Sequence, residues 1–139
     1  MRALALDLGT KRIGIAVSDA LGITVRPVET IRRSGIARDI ARLKQVVEEL
    51  EAEAIVIGLP LRMDNTVGDA ARSALTFAEL LRTELALPVF TEDERLTSYE
   101  AEQIMVEKNY SRKQRRERSD EFAAMIILRD FLSRTRKQT

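Results

Sequence analysis

The chain has 139 residues, a net charge of +1 and no histidine, cysteine or tryptophan. These absences exclude serine–histidine–aspartate and cysteine–histidine catalysis, zinc sites built from thiolates or imidazoles, and disulfides. Any chemistry must therefore rely on carboxylates, hydroxyls, lysine and arginine. Hard oxygen ligands of this kind suit Mg²⁺ or Mn²⁺.

Length and composition predict a single domain over residues 1–139, because this size is usual for one compact domain and no linker interrupts the chain. The lack of cysteine favours a reducing compartment. Arg2 and Asp7 interrupt the apolar start, so no signal peptide is expected, and no stretch has the length of a membrane span. We expect a cytoplasmic protein with no membrane partner, either a monomer or a homodimer.

Three strands are predicted at the start of the chain. Residues 2–8 and 13–18 are apolar runs joined by a tight turn at residues 9–12. Residues 22–31 form a third run, in which Pro27 favours an edge position. Three consecutive strands with short connections predict an antiparallel meander.

Helices and strands alternate after the meander. Residues 36–50 show apolar side chains at helical spacing, and residues 54–58 are a short run of the buried-strand type. Thr66 and Asp69 predict the start of a second helix, which leads to a strand at residues 88–91.

Two helices are predicted at the end of the chain. Thr97 and Glu100 form a capping box that opens a helix to about residue 108, and Ser119 is predicted to cap a final, strongly apolar helix after a basic loop. The order β-β-β-α-β-α-β-α-α predicts an α/β fold. Its mixed five-stranded sheet combines the antiparallel meander with parallel strands and is flanked by helices.

Charge is unevenly distributed along the chain. Residues 1–107 carry 13 basic and 18 acidic side chains, a net charge of −5, whereas residues 108–139 carry 10 and 4, a net charge of +6. The densest basic segment, residues 108–118, is either a contact surface for phosphates or a solvated polar loop. Its basic residues are Lys108, Arg112, Lys113, Arg115, Arg116 and Arg118.

Acidic residues end two predicted strands and begin the last helix. Asp7 follows an apolar run, so its charge needs a cation, a hydrogen-bond donor or water, and we expect a positive group beside it. Glu94 follows the fifth strand and Asp120 opens the last helix. Ligands gather near the carboxyl ends of parallel strands, so these acids predict a divalent-metal site for phosphoryl chemistry.

Each acid also has a structural alternative. Asp7 could accept hydrogen bonds from the amides of the turn that follows it. Glu94 could pair with Arg95, and Asp120 could interact with the dipole of its own helix. Of the neighbouring acids Glu92, Asp93 and Glu94, strand alternation allows only one or two to face Asp7.

Several motifs resemble one family, the YqgF-type (RuvX-like) pre-16S rRNA nucleases, over nearly the whole chain. The resemblance implies a ribonuclease-H-like fold, a likeness to Holliday-junction resolvases, and a metal-dependent endonuclease that processes the 5′ end of pre-16S ribosomal RNA. The motifs are residues 7–19 (DLGTKRIGIAVSD), residues 58–61 (GLPL) with Met63 and Asp64, residues 93–98 (DERLTS) with Ala101, and Asp120 with Ala123, Ala124, Ile127 and Leu128.

The resemblance also assigns roles to residues. Asp7, Glu94 and Asp120 correspond to the acidic active-site set and would bind one or two Mg²⁺ or Mn²⁺ ions. Apart from the resemblance, the positions and charges of the basic residues beside the acidic motifs and in the basic segment predict contacts with the phosphates of structured RNA or branched DNA. These residues are Lys11, Arg12, Arg95, Arg112, Lys113, Arg115 and Arg116.

Three other functions stay open on the sequence. The first is a DNA endonuclease that resolves Holliday junctions, and the second is a nucleic-acid-binding protein in which the acids have no catalytic role. The third is an actin-like or sugar-kinase ATPase, since the residues from Asp7 to Thr10 also fit the phosphate-binding turn of those proteins. Length disfavours the ATPase, which needs a second lobe.

Overall fold

A mixed five-stranded sheet forms the centre of the fold in this computed structural model, which describes residues 1–60, 68–94 and 97–137. The strands are β1 (Ala3–Leu8), β2 (Arg12–Ser18), β3 (Val25–Arg32), β4 (Ala54–Leu59) and β5 (Val89–Asp93). The helices are α1 (Ile36–Leu50), α2 (Asp69–Leu85), α3 (Thr97–Glu107) and α4 (Arg112–Lys137). Thr66 lies outside the described residues.

The strand order is β3-β2-β1-β4-β5. β1, β2 and β3 pair antiparallel, and β4 pairs parallel with both β1 and β5. The predicted meander with parallel additions is therefore confirmed. Pro27 lies on an edge strand, at a register shift opposite Ile15 and Ala16, where a missing amide donor is tolerated.

Strand alternation gives the sheet two different faces. On one face, large apolar side chains such as Leu4 and Leu6 pack with α1 and α2. On the other face, β1 presents Ala3, Ala5 and Asp7, and the small side chains let α4 lie close to the strands. Along α4, Phe122, Ala123, Ala124, Ile126, Ile127, Leu128, Phe131 and Leu132 are buried, as the apolar sequence predicts.

The basic segment is helical from Arg112 onwards, which corrects the predicted loop. α4 begins at Arg112, so Ser119 lies inside the helix and Asp120 does not open it. The cap is Ser111, whose Oγ accepts a hydrogen bond from the Gln114 amide at 3.1 Å, while Gln114 Oε1 accepts one from the Ser111 amide at 2.7 Å. This reciprocal capping box, in a segment of good helix formers, outweighs the repulsion between the basic side chains.

The corner between α3 and α4 is held by arginine side chains. Arg118 lies over the rings of Tyr110 and Phe122, with its Cζ 5.3 and 5.4 Å from their centroids. Arg115 donates to the Tyr110 carbonyl oxygen at 2.9 Å and pairs with Glu102 at 2.8 Å.

Within the described residues, no helix has the length and apolar character needed to cross a membrane.

Candidate active site

Asp7 and Glu94 meet at the carboxyl ends of the parallel strands. Asp7 is near the end of β1, and Glu94 follows β5 directly, with its amide donating to the Leu59 carbonyl oxygen at 3.1 Å. The two carboxyl groups share a hydrogen bond. This is the edge of an open α/β sheet where ligands gather.

A shared proton stabilises this pair of acids. Burial, followed by the negative charge of Asp7, raises the pKa of Glu94 to about 8, so its protonated carboxyl donates to Asp7. Burial also raises the pKa of Asp7 to about 6, although the hydrogen bond from Glu94 opposes the rise. The positive group predicted beside Asp7 is thus replaced by a donor, the Glu94 carboxyl.

Asp120 lies near this pair but interacts with a cation. Its Oδ2 is 3.1 Å from Nε of Arg12, at the start of β2. Its negative charge is close enough to contribute to the raised pKa of Asp7. The third acid of the predicted set is therefore at the site, with its carboxylate held by Arg12.

Two glycines make room for the acidic side chains. A Cβ on Gly14 would lie 2.2 Å from the Asp120 carbonyl oxygen, so only glycine lets α4 approach β2 here. A Cβ on Gly58 would lie 2.7 Å from the carboxyl group of Glu94. Neither a role for these glycines nor the pairing of Arg12 with Asp120 was predicted from the sequence. The available signal was a glycine inside each strand, which often marks a close approach.

The three carboxyl groups have the right chemistry for a hard divalent cation. Among the described residues, however, no three acidic side chains are arranged closely enough to hold a metal ion as they stand. The raised pKa values of Asp7 and Glu94 favour a proton on this pair, and Asp120 is paired with Arg12. Metal binding at this site would require loss of the proton and release of Asp120.

The neighbouring acids of β5 are not equivalent. Glu92 is buried and paired with Arg134 of α4, and burial raises its pKa. Asp93 is exposed and contributes to the raised pKa of Glu94. As strand alternation predicts, not all three of Glu92, Asp93 and Glu94 face Asp7.

The predicted phosphate contacts fall into two groups. Lys11 and Arg12 are exposed in the turn beside Asp120. Arg112 and Arg116 are exposed in the first turns of α4, in a slanting row that continues to Asp120 about 12 Å along the helix. Lys113 is exposed near Glu117, whereas Arg115 is largely covered and holds the α3–α4 corner; Arg95 lies outside the described residues.

The arrangement of strands and helices is a ribonuclease-H-like fold. RuvC from Thermus thermophilus, in complex with a Holliday junction, superposes with a TM-score of 0.59 at 18% identity, covering 97% of this chain and 96% of that chain. A fowlpox virus resolvase, also in complex with Holliday junction DNA, has a TM-score of 0.62 at 9% identity, covering 97% and 99%. At these identities the likeness shows the fold alone.

Sequence comparison identifies the family. The family model described as "RuvX: Holliday junction resolvase" matches residues 1–134. A Listeria innocua protein named as a candidate pre-16S rRNA nuclease is 43% identical over 137 residues, which is 97% of this chain and 99% of that protein. The chain belongs to the RuvX family, as the resemblance in its motifs predicts.

Proposed function

We propose that the protein is a divalent-metal-dependent endonuclease that cleaves structured nucleic acid, with residues 1–139 acting as one nuclease domain. The observation that carries this proposal is the partly buried Asp7–Glu94 carboxyl pair at the carboxyl ends of the parallel strands. A charged acid pair in this position is costly unless a cation replaces the shared proton. Membership of a nuclease family supports the same function.

Asp7, Glu94 and Asp120 would hold one or two Mg²⁺ or Mn²⁺ ions. When bound, such ions make water a better nucleophile and stabilise the negative charge of the leaving oxygen. The chain has no histidine to act as a general base, so its own contribution is to place carboxylate ligands and to bind phosphates. Lys11, Arg112 and Arg116 are exposed basic groups near the acids and would orient the nucleic-acid backbone.

The proposed substrate is precursor 16S ribosomal RNA, cleaved in the processing of its 5′ end. The name of the Listeria innocua relative supports this choice, and processing of ribosomal RNA implies a cytoplasmic protein. The second candidate is a four-way DNA junction, which is favoured by the description of the family model. Both substrates present closely spaced phosphates, so the basic groups alone do not select between them.

A cleavage assay tests the proposal. The purified protein is incubated with an RNA that carries the 5′ flank of 16S rRNA, or with a four-way DNA junction, in Mg²⁺, Mn²⁺ or EDTA. We expect metal-dependent cleavage of the RNA and a loss of at least about 100-fold in Asp7→Asn, because the variant lacks a metal-binding charge.

Asp69→Asn is the matched control, because it removes the same charge from a side chain that is 94% exposed on α2. Preferential cleavage of the junction would support the second candidate. Nucleic-acid binding without cleavage by the wild-type protein, in every metal tested, would identify a binding protein instead.

A further inference from the structure

The ion pair between Arg12 and Asp120 joins a phosphate-binding candidate to a metal-binding candidate. The two side chains are 57% and 22% exposed, so Arg12 extends into solvent while Asp120 lies against the protein. A phosphate arriving from solvent meets Arg12 first. Because an arginine fork suits phosphate as well as carboxylate, the phosphate can compete with Asp120 for Arg12.

The backbones of both residues are fixed, so the ion pair can change only by side-chain rotation. The Arg12 carbonyl oxygen accepts from the Gly9 amide at 2.8 Å, which closes the turn between β1 and β2. The backbone of Asp120 lies directly on Gly14, where there is no room for even a methyl group. The backbone of Asp120 therefore stays beside the Asp7–Glu94 pair, whichever partner its carboxylate has.

We propose that Arg12 is a positioning residue that holds Asp120 away from the metal until a substrate phosphate binds Arg12. The inference rests on the proposed nuclease function and adds regulation to its site. In the free protein Arg12 is the counterion of Asp120, and in the complex the phosphate takes that guanidinium. Binding of metal and of nucleic acid are then positively coupled, and the coupling is reciprocal.

Metal titration without nucleic acid distinguishes this role from one in which Arg12 supports the metal-binding position of Asp120. Mn²⁺ affinity is measured calorimetrically for the wild type, Arg12→Ala and Arg12→Lys, with thermal melts to confirm folding. Removal of the competing guanidinium should strengthen Mn²⁺ binding of Arg12→Ala by roughly 5- to 30-fold, which lies within the usual range of such couplings. Arg12→Lys, which keeps a cation beside Asp120, should stay near the wild type.

Lys11→Ala is the matched control, because it removes the same charge from the same turn. It should change Mn²⁺ affinity by less than about 3-fold, since it removes only a long-range repulsion. Unchanged or weaker Mn²⁺ binding in Arg12→Ala would overturn the proposal, because Arg12 would then support the metal-binding position of Asp120. An equal gain in Lys11→Ala would also overturn it, since net charge would explain the effect.

The coupling itself is measured with a stem-loop RNA as the probe. The RNA affinity of the wild type, measured by fluorescence anisotropy with the RNA checked for integrity, should rise with Mn²⁺ by the same 5- to 30-fold factor. In Arg12→Ala that rise should largely disappear. Wild-type cleavage with no such coupling would overturn the inference alone, whereas absence of both metal binding and cleavage would overturn the proposed function as well.

Discussion

The Asp7–Glu94 pair places two acids in a space that tolerates one negative charge. Its shared proton removes the second charge, so the free protein avoids the repulsion that two buried carboxylates would cause. The alternative for Asp7, hydrogen bonding to the following turn, is not the arrangement seen at Gly9, whose amide donates to Arg12. These contacts favour a site in which both carboxyl groups are charged only when a cation is bound.

Asp7→Asn should stabilise the metal-free protein at neutral pH by about 1 to 2 kcal/mol. Asparagine is nearly isosteric, accepts the hydrogen bond from Glu94 and carries no buried charge. Thermal melts with and without Mg²⁺ measure the effect, and Mg²⁺ should stabilise the wild type more than the variant. A lowered melting temperature with full nuclease activity would show that Asp7 is structural.

The raised pKa values predict how stability depends on pH. Between pH 4 and pH 8 the folded acids hold more protons than the unfolded acids, so this site contributes stability below about pH 4 and loses it as pH rises through about 6 and 8. Melts from pH 5 to 9 should show the wild type weakening relative to Glu94→Gln. Parallel curves for the two proteins would contradict the raised pKa values.

At the scale of elements, the position of α4 decides the geometry of the site. Its close approach to the sheet depends on the small side chains of β1 and on Gly14 in β2. Because Asp120 is part of α4, any shift of this helix relative to the sheet moves the Asp120 carboxylate. Packing of one helix and the chemistry of the site are therefore linked.

Gly14→Ala should destabilise the protein by about 2 to 4 kcal/mol and weaken Mn²⁺ binding, because the new methyl group would meet the backbone of Asp120. Gly58→Ala is the matched comparison. Its methyl group would meet the ends of Ile127 and Glu94, which can move, so it should cost less stability while still weakening Mn²⁺ binding. Denaturant unfolding and calorimetry give both quantities. Equal stability losses would argue against a special role for Gly14.

At the scale of the whole molecule, the acids of the site and the basic first turns of α4 lie on the same face of the sheet. α1 and α2 cover one face of the sheet, while α4, with its basic first turns, lies on the face that carries the acids. Arg112 and Arg116 are exposed there, whereas Arg115 is committed to Glu102 and the Tyr110 carbonyl. Arg112 and Arg116 are therefore better positions than Arg115 at which to test binding of phosphates.

The double variant Arg112→Glu and Arg116→Glu should weaken binding of stem-loop RNA and lower the slope of log affinity against log salt by about 2, one for each lost phosphate contact. Arg38→Glu with Lys44→Glu makes the same change in net charge on α1, across the sheet. Anisotropy titrations at several salt concentrations compare the two variants. Equal effects would show that net charge, not this surface, controls binding.

Much of the fold follows from local patterns in the sequence. Alternating and continuous apolar runs predict the five strands, and helical spacing predicts the helices, because burial of one side requires those periods. The family resemblance also indicates the three acids that the structure brings to one end of the sheet. The predicted start of the last helix at Ser119 was wrong, because the capping box at Ser111 and Gln114 starts the helix before most of the basic residues.

The sequence alone predicted the order of helices and strands along the chain, the type of chemistry and, through the family resemblance, the acidic residues, because these depend on composition, periodicity and motif. Only the tertiary structure decided their partners. Glu94 shares a proton with Asp7, Asp120 pairs with Arg12, and Arg115 supports a helix corner. Such pairings join residues far apart in the chain, so they depend on how closely α4 approaches the sheet.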